Sequence, residues 1–285
     1  MLPSILQPAL FTASSALDGV LGLAVGLALG LTGGGGMLAV PALVVGLDYS
    51  LQEAAPVALI AICLGASIGA LDGFRKRLVR YRAASVMAFA GIGCAPLGIW
   101  LAQSLPVDIL THAFAFVLIL CSFRLLFRSL TDQGAVLFGK KSVKRVCRVN
   151  PETGRFWWNP TSFFTFSGIG SVSGFCSGML GVGGGFVIVP SLRQSSDLGI
   201  ASTVATSLAT VALVSGATVL LIFLRGVGIS GDSALFISAT VAGMLIARKF
   251  SAQMPDFYLH AGFASLATLA ALGMIYQQAI HVGAS

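Results

Sequence analysis

Charged residues are scarce in this sequence of 285 residues. Only 9% of the residues are Asp, Glu, Lys or Arg, whereas 56% are hydrophobic, and the mean hydropathy is +0.93. A soluble domain carries about 25% charged residues. The shortage of charge excludes an ordinary soluble domain and predicts an integral membrane protein.

Cysteine, histidine and acidic residues are also too few and too scattered to predict a metal site. The chain has 5 Cys and 3 His, with no CxxC pair and no acidic cluster. Ser177 lies in the segment 174–178, which lacks the GxSG order of an intramembrane serine protease. The first ten residues carry no basic residue, so we expect no cleaved signal peptide. We also expect no metal, no cofactor and no enzymatic activity.

Long apolar runs are abundant, and eight of them could span about 30 Å of hydrocarbon. They cover 12–31, 51–71, 83–102, 107–127, 161–180, 200–224, 232–247 and 257–280. Two shorter pieces, 37–47 and 186–192, cannot cross at about 1.5 Å per residue, so we predict half-helices there. Because the runs do not alternate as strands do, the sequence predicts an all-α polytopic membrane protein.

A glycine-rich phrase occurs twice in the chain. GGGMLAVPAL at 34–43 returns as GGGFVIVPSL at 183–192, which is an offset of 149 residues without a gap. We therefore predict two homologous transmembrane halves, 1–127 and 161–285, joined by a basic cytoplasmic linker at 128–160.

The basic residues are clustered, and their positions predict the topology. Most of the 17 Lys and Arg residues lie in or beside the loops 73–82 and 128–160. Such clusters mark the cytoplasmic side and attract anionic membrane lipids, so the net charge of +7 does not predict nucleic-acid binding.

Two arrangements of the halves fit this charge pattern. Parallel halves would leave Arg193, Arg248 and Lys249 outside, whereas inverted halves would leave only Arg225 outside. The charges therefore favour inverted repeats. Each half would then carry its glycine phrase in a broken or re-entrant helix hairpin, with both termini outside.

The two glycine phrases predict an anion-binding site. The first N–H groups of a half-helix have no intrahelical partner, and the helix dipole adds partial positive charge there. Two such ends within the membrane could hold an anion without a lysine or arginine. The alternative is that the glycines only permit tight helix packing. The candidate substrate-binding residues are Thr32, Gly34, Gly35, Gly36, Ser177, Gly183, Gly184, Gly185, Thr206 and Ser207.

Hydroxyl groups make the predicted site asymmetric. Thr206 and Ser207 either bond back to their own helix or reach the anion, and the first half has Val57 and Ala58 instead. Glu53 and His112 are candidate proton relays, and the alternative, which the sequence favours, is that both are simply interfacial residues.

These motifs resemble the TauE/SafE family of sulfite exporters, also called the TSUP family of anion permeases. The resemblance is carried by the doubled phrase, in the form Gly181-Val182-Gly183-Gly184-Gly185, by Ala205-Thr206-Ser207-Leu208, and by the basic loop between the halves. It implies a multi-pass secondary transporter in the bacterial inner membrane. Sulfite, an organosulfonate or another small anion would be the substrate, and a proton or ion gradient commonly drives such transport.

Two alternatives stay open at this point. An anion channel can also be built from paired half-helices, and a carrier can take a carboxylate that contains no sulfur. The sequence predicts neither the direction of transport nor the coupling ion nor the oligomeric state.

Overall fold

The computed structural model describes five stretches of the chain, 6–47, 49–106, 109–120, 159–224 and 233–250, together with residues 123, 147, 268, 269 and 273. The predicted span 257–280 and the predicted linker 128–160 fall almost entirely outside the described residues. The last part of the span 107–127 does so as well.

The described elements are helices, as the sequence predicts. They are α1 (Leu6–Thr32), α2 (Ala39–Leu47), α3 (Leu51–Arg75), α4 (Tyr81–Ser104), α5 (Ile109–Leu120), α6 (Pro160–Leu180), α7 (Gly185–Ser195), α8 (Ile200–Leu224) and α9 (Ala234–Phe250), with a 3₁₀ turn at Gly35–Leu38 leading into α2. Within the described stretches, α3, α4, α6 and α8 are long and apolar enough to cross a membrane. The prediction of an all-helical membrane protein is confirmed.

Local sequence signals set several helix ends. Ser50 and Glu53 form a capping box at the start of α3, because the Ser50 hydroxyl accepts from Glu53 N and the Glu53 carboxylate accepts from Ser50 N. Pro160 occupies the first position of α6, where its missing N–H costs no hydrogen bond. Gly181 ends α6 in the left-handed conformation, with φ of +73°.

Helices α3 and α8 cross at the centre of the molecule and run antiparallel. Cys63 Sγ donates to Ala212 O at 3.7 Å, and these two positions are equivalent under the 149-residue repeat. Further along α3, Gly69 lies against Leu208 and Gly73 lies against Ala205. Residue numbers thus rise along α3 as they fall along α8.

The first helix of each half packs along a helix of the other half. Small residues allow this close approach, as is common between membrane helices. Between α1 and α9 the close pairs are Gly22–Phe236, Gly26–Thr240 and Gly30–Met244, and between α4 and α6 they are Met87–Gly170, Gly91–Gly174 and Ala95–Gly178. Both helix pairs are parallel, and the repeat relates one pair to the other. The two halves are therefore interlocked by reciprocal contacts.

An ion pair joins α3 to α9 at one end of the molecule. Asp72 lies 2.9 Å from Lys76 and 2.7 Å from Arg248, measured between the carboxylate oxygen and the side-chain nitrogens. The C-terminal ends of α3 and α9 consequently lie on the same side, next to the basic loop that follows α3.

Candidate functional site

The two glycine segments lie in direct contact. A Cβ atom at Gly185 would be only 2.6 Å from Gly33 O, and a Cβ atom at Gly34 would be 3.3 Å from the Cα of Phe186. Ile62, in the middle of α3, packs against both segments at Gly36 and Gly183. The fold thus brings together glycines that are about 150 residues apart in the chain, close to the midpoint of α3.

Each glycine segment turns the chain back on itself. After α1, Gly33 has φ of +68°, and α2 then runs back along α1, with Gly35 against Ala28 and Gly46 against Leu21. In the second half, α7 follows α6 closely enough for Ser173 Oγ to donate to Gly184 O at 3.1 Å. Both short helices therefore start at a reversal of the chain.

The reversals bring the starts of two helical segments together. In the first half, Gly34 N donates to Thr32 Oγ1 at 3.2 Å and Met37 N donates to Gly34 O. In the second half, Val187 N and Ile188 N both donate to Gly184 O. The first N–H groups of each helix, among them that of Gly185, have no acceptor within the helix. Since the two starts touch, their partial positive charges converge.

Two serines hold the carbonyl groups of the glycine segments. Ser207 Oγ, on α8, donates to Gly33 O at 3.2 Å and so links the second half to the first glycine segment. Ser173 holds Gly184 O in the same way within the second half. The sequence analysis singled out Ser207 and missed Ser173. The spacing of Ser173 and Ser177, which puts them on one face of α6, is a signal that could have identified it.

Two other serines are buried without a hydrogen-bond partner in the described part of the chain. They are Ser177 on α6, which the sequence analysis includes, and Ser215 on α8, which it does not. Ser215 Oγ lies 2.9 Å from the point where a Cβ atom at Gly183 would be. Both hydroxyls are therefore inside the molecule with hydrogen-bonding capacity unused.

The hydroxyls of Thr206 and Thr32 have local partners. Thr206 Oγ1 donates to Ser202 O at 2.7 Å and accepts from Arg80 N at 3.1 Å, which ties α8 to the end of the loop after α3. Thr32 Oγ1 donates to Ala28 O and accepts from Gly34 N. The Thr206 hydroxyl is thus used at Arg80, in the loop between α3 and α4. The Thr32 hydroxyl caps the turn at the first glycine segment.

Glu53 and His112 do not share the buried setting of the glycines. Glu53 is exposed and belongs to the capping box of α3. His112 is exposed on α5. The structure therefore does not bring either candidate proton relay into the contact between the glycine segments.

Apolar side chains and hydroxyls surround the glycine segments. The nearest side chains to Gly36 and Gly183 are Ile62, Val211 and Ser215, and the side chains of Val204 and Val189 pack against Gly33. In the part of the chain that the structure describes, no cluster of three or more His, Cys, Asp or Glu side chains could hold a metal ion. Helix starts of this kind carry N–H donors and the positive end of a helix dipole, which are chemically suited to an anion.

Comparison with known proteins supplies the family. The model of the family described as Sulfite exporter TauE/SafE matches residues 19–274, which include both glycine segments and all the helices named above except the start of α1. Searches of the curated proteins and of the solved structures found no match. Because the family match covers most of the chain, the protein belongs to the TauE/SafE sulfite exporter family and is a multi-pass membrane transporter of that type, not an enzyme.

Proposed function

We propose that this protein is a secondary carrier that moves a small anion, either sulfite or an organosulfonate, across the bacterial inner membrane. The anion binds where the two glycine segments meet. Membership of a sulfite exporter family supports the class of substrate. The observation that carries the binding site is the contact of two helix starts, in which Gly185 lies against Gly33 and Gly34.

The chemistry of this contact favours a compact oxyanion. Backbone N–H groups at two helix starts attract negative charge without placing a lysine or arginine in hydrocarbon, where an unpaired cation is costly. The glycines allow the backbone itself to approach the anion closely. Since Ile62 and Val211 pack against the same glycines, a small oxyanion such as sulfite fits this setting better than a long sulfonate.

We further propose that the halves 1–127 and 161–285 are inverted repeats. The antiparallel crossing of α3 and α8 supports this, because these helices are equivalent under the 149-residue repeat and would run parallel if the halves were parallel. The Asp72–Arg248 ion pair supports it as well, since it puts the end of α9 beside the basic loop after α3. In this arrangement α1–α2 and α6–α7 are re-entrant hairpins, and the linker 128–160 is cytoplasmic.

Inverted repeats provide a route to transport. A two-fold axis in the membrane plane relates the two halves, so exchanging their conformations would turn a central site from one face of the membrane to the other. A co-transported proton remains part of this proposal, and the dependence of flux on a pH gradient tests it.

The test compares two glycine-to-alanine variants in proteoliposomes loaded with labelled sulfite. We expect Gly185→Ala to reduce flux at least about ten-fold, because its methyl group would push the two helix starts apart. Gly168→Ala is the matched control, since a Cβ atom there meets nothing within 4 Å. Wild-type flux in Gly185→Ala would reject the proposed site.

The same assay separates the alternatives. A carrier shows saturable flux that is stimulated by sulfite on the opposite side, whereas a channel shows neither and, in a planar bilayer recording, gives ohmic single-channel current. Competition by simple carboxylates as strong as that by unlabelled sulfite would favour the carboxylate carrier instead.

A further inference from the structure

Ser215 is a buried hydroxyl that does not behave like its neighbours on α8. Thr203, Thr210 and Thr218 on the same helix each donate to the carbonyl four residues earlier, at 2.8 to 3.1 Å. Ser215 is fully buried and has no hydrogen-bond partner among the described residues. An unsatisfied buried hydroxyl destabilises a protein, so its orientation away from the carbonyl of Val211 requires an explanation.

The position of Ser215 supplies one. Its Oγ lies beside Gly183, 2.9 Å from the point where a Cβ atom of that residue would be, and the side chains of Ile62 and Val211 flank the same point. Gly183 has φ of +69° and comes two residues before the start of α7. The hydroxyl therefore lies next to the glycine segment of the second half.

The first half has no equivalent hydroxyl. Under the 149-residue repeat Ser215 corresponds to Ala66, and the partnerless Ser177 corresponds to Ala28. Alanine at equivalent positions shows that the helix framework does not need a hydroxyl there. The extra donors belong to one half alone, which is expected if they recognise a ligand and unexpected if they serve the packing of the repeat.

We propose that the Ser215 hydroxyl donates a hydrogen bond to an oxygen of the bound anion and so selects compact oxyanions. This inference rests on the function proposed above and adds a named side-chain donor to the backbone site. A hydroxyl that lacks a protein acceptor is free to donate to an anion oxygen, and such charge-assisted bonds are the stronger kind. Ser215 contacts the ligand itself, whereas Ser173 and Ser207 act through the glycine carbonyls.

The experiment measures sulfite binding and thermal unfolding for the purified full-length protein in detergent. For Ser215→Ala we expect a dissociation constant for sulfite at least about ten-fold higher than that of the wild type. Without sulfite, the same variant should unfold at the wild-type temperature or above it, because the substitution removes an unsatisfied polar group. Ser215→Cys, which keeps the size of the side chain but donates weakly, should also bind sulfite more weakly.

Thr240→Val is the matched control. Thr240 is equally buried, but its hydroxyl donates to Phe236 O at 2.8 Å on α9. We expect this variant to bind sulfite with wild-type affinity and to unfold at a lower temperature. Ser215→Ala should thus lower the affinity for sulfite and not the stability, whereas Thr240→Val should lower the stability and not the affinity.

The outcomes distinguish the two levels of the proposal. Wild-type affinity in both Ser215→Ala and Ser215→Cys would overturn the role of Ser215. A lower unfolding temperature with unchanged affinity would also overturn it, because Ser215 would then serve the structure. If the wild-type protein binds no sulfite and no organosulfonate, the proposed function itself fails and this inference falls with it.

Discussion

Gly183 and Gly184 both have φ of +69°, a left-handed conformation that residues with a side chain rarely adopt. Two such residues in succession turn the chain sharply between α6 and α7. The Gly184 carbonyl accepts from Val187 N and Ile188 N of α7, and Ser173 on α6 adds a side-chain donor to it. At the scale of the residue, a serine that lies 11 positions earlier in the chain therefore links the glycine segment to α6.

Removing this donor should loosen the second glycine segment. We expect Ser173→Ala to destabilise the protein by about 1 kcal/mol, because it removes the buried hydrogen bond that links α6 to the Gly184 carbonyl, and to lower sulfite flux by disturbing the start of α7. The measurements are thermal unfolding and proteoliposome flux. Ser85→Ala is the control, since the half-buried Ser85 donates its hydroxyl hydrogen to Tyr81 O of its own helix and links no second segment among the described residues. Unchanged unfolding of Ser173→Ala would show that the hydrogen bonds from Val187 N and Ile188 N are enough to hold the Gly184 carbonyl.

At the scale of the element, α3 and α8 decide how the halves meet. They occupy equivalent positions in the repeat, and their antiparallel crossing brings Cys63 next to Ala212 and Gly216. The Sγ of Cys63 lies 3.4 Å from the point where a Cβ atom of Gly216 would be. The contacts of Gly69 with Leu208 and of Gly73 with Ala205 give the direction, because residue numbers would rise along both helices in a parallel pair.

A disulfide tests this crossing directly. In a chain whose other cysteines are replaced, we expect Cys63 to form a disulfide with the side chain introduced by Gly216→Cys when an oxidant is added. After a protease cuts a site inserted in the linker 128–160, the two halves should stay joined on a non-reducing gel and separate on a reducing one. Gly93→Cys is the control, because a side chain there meets nothing within 4 Å. Equal cross-linking of both variants would contradict the crossing.

At the scale of the whole molecule, reciprocal packing ties the halves into one unit. Helix α1 lies along α9 of the other half, and α6 lies along α4, so neither half is a separate body. The Asp72–Arg248 ion pair fixes the ends of α3 and α9 on one side. The repeat equivalents of these two residues are Leu221 and Ile99, so the ion pair has no symmetric copy.

The proposed topology makes a prediction at this scale. Cysteines introduced by Arg75→Cys and Lys249→Cys should react with a membrane-impermeant reagent only from the cytoplasmic side, because both positions lie near the Asp72–Arg248 ion pair. Gln52→Cys, at the opposite end of α3, should react only from outside. Labelling of intact cells and of inverted vesicles provides the measurement. Reaction of Lys249→Cys and Gln52→Cys from the same side would indicate parallel halves.

Helix caps and helix boundaries were predictable, because they depend on residues that are close together in the sequence. The capping box Ser50–Glu53 follows a known local pattern, although the sequence analysis considered Glu53 as a proton relay. The boundaries of α3, α6 and α8 lie within a few residues of the predicted runs 51–71, 161–180 and 200–224. The hydroxyl partners were not predictable, because nothing local shows that Ser207 meets Gly33 while the adjacent Thr206 meets Arg80.

The sequence by itself determined the class of protein, since hydropathy alone decides whether a helix is stable in lipid or in water, and the doubled glycine phrase identified the family. The tertiary structure alone decided which surfaces face each other. It brings the glycine segments into contact, packs α1 along α9 and α6 along α4, and buries Ser215 beside Gly183. The physical reason is that apolar helices of similar composition can pack in many ways in a membrane. Close backbone approach at small residues and a few buried hydrogen bonds select one of them.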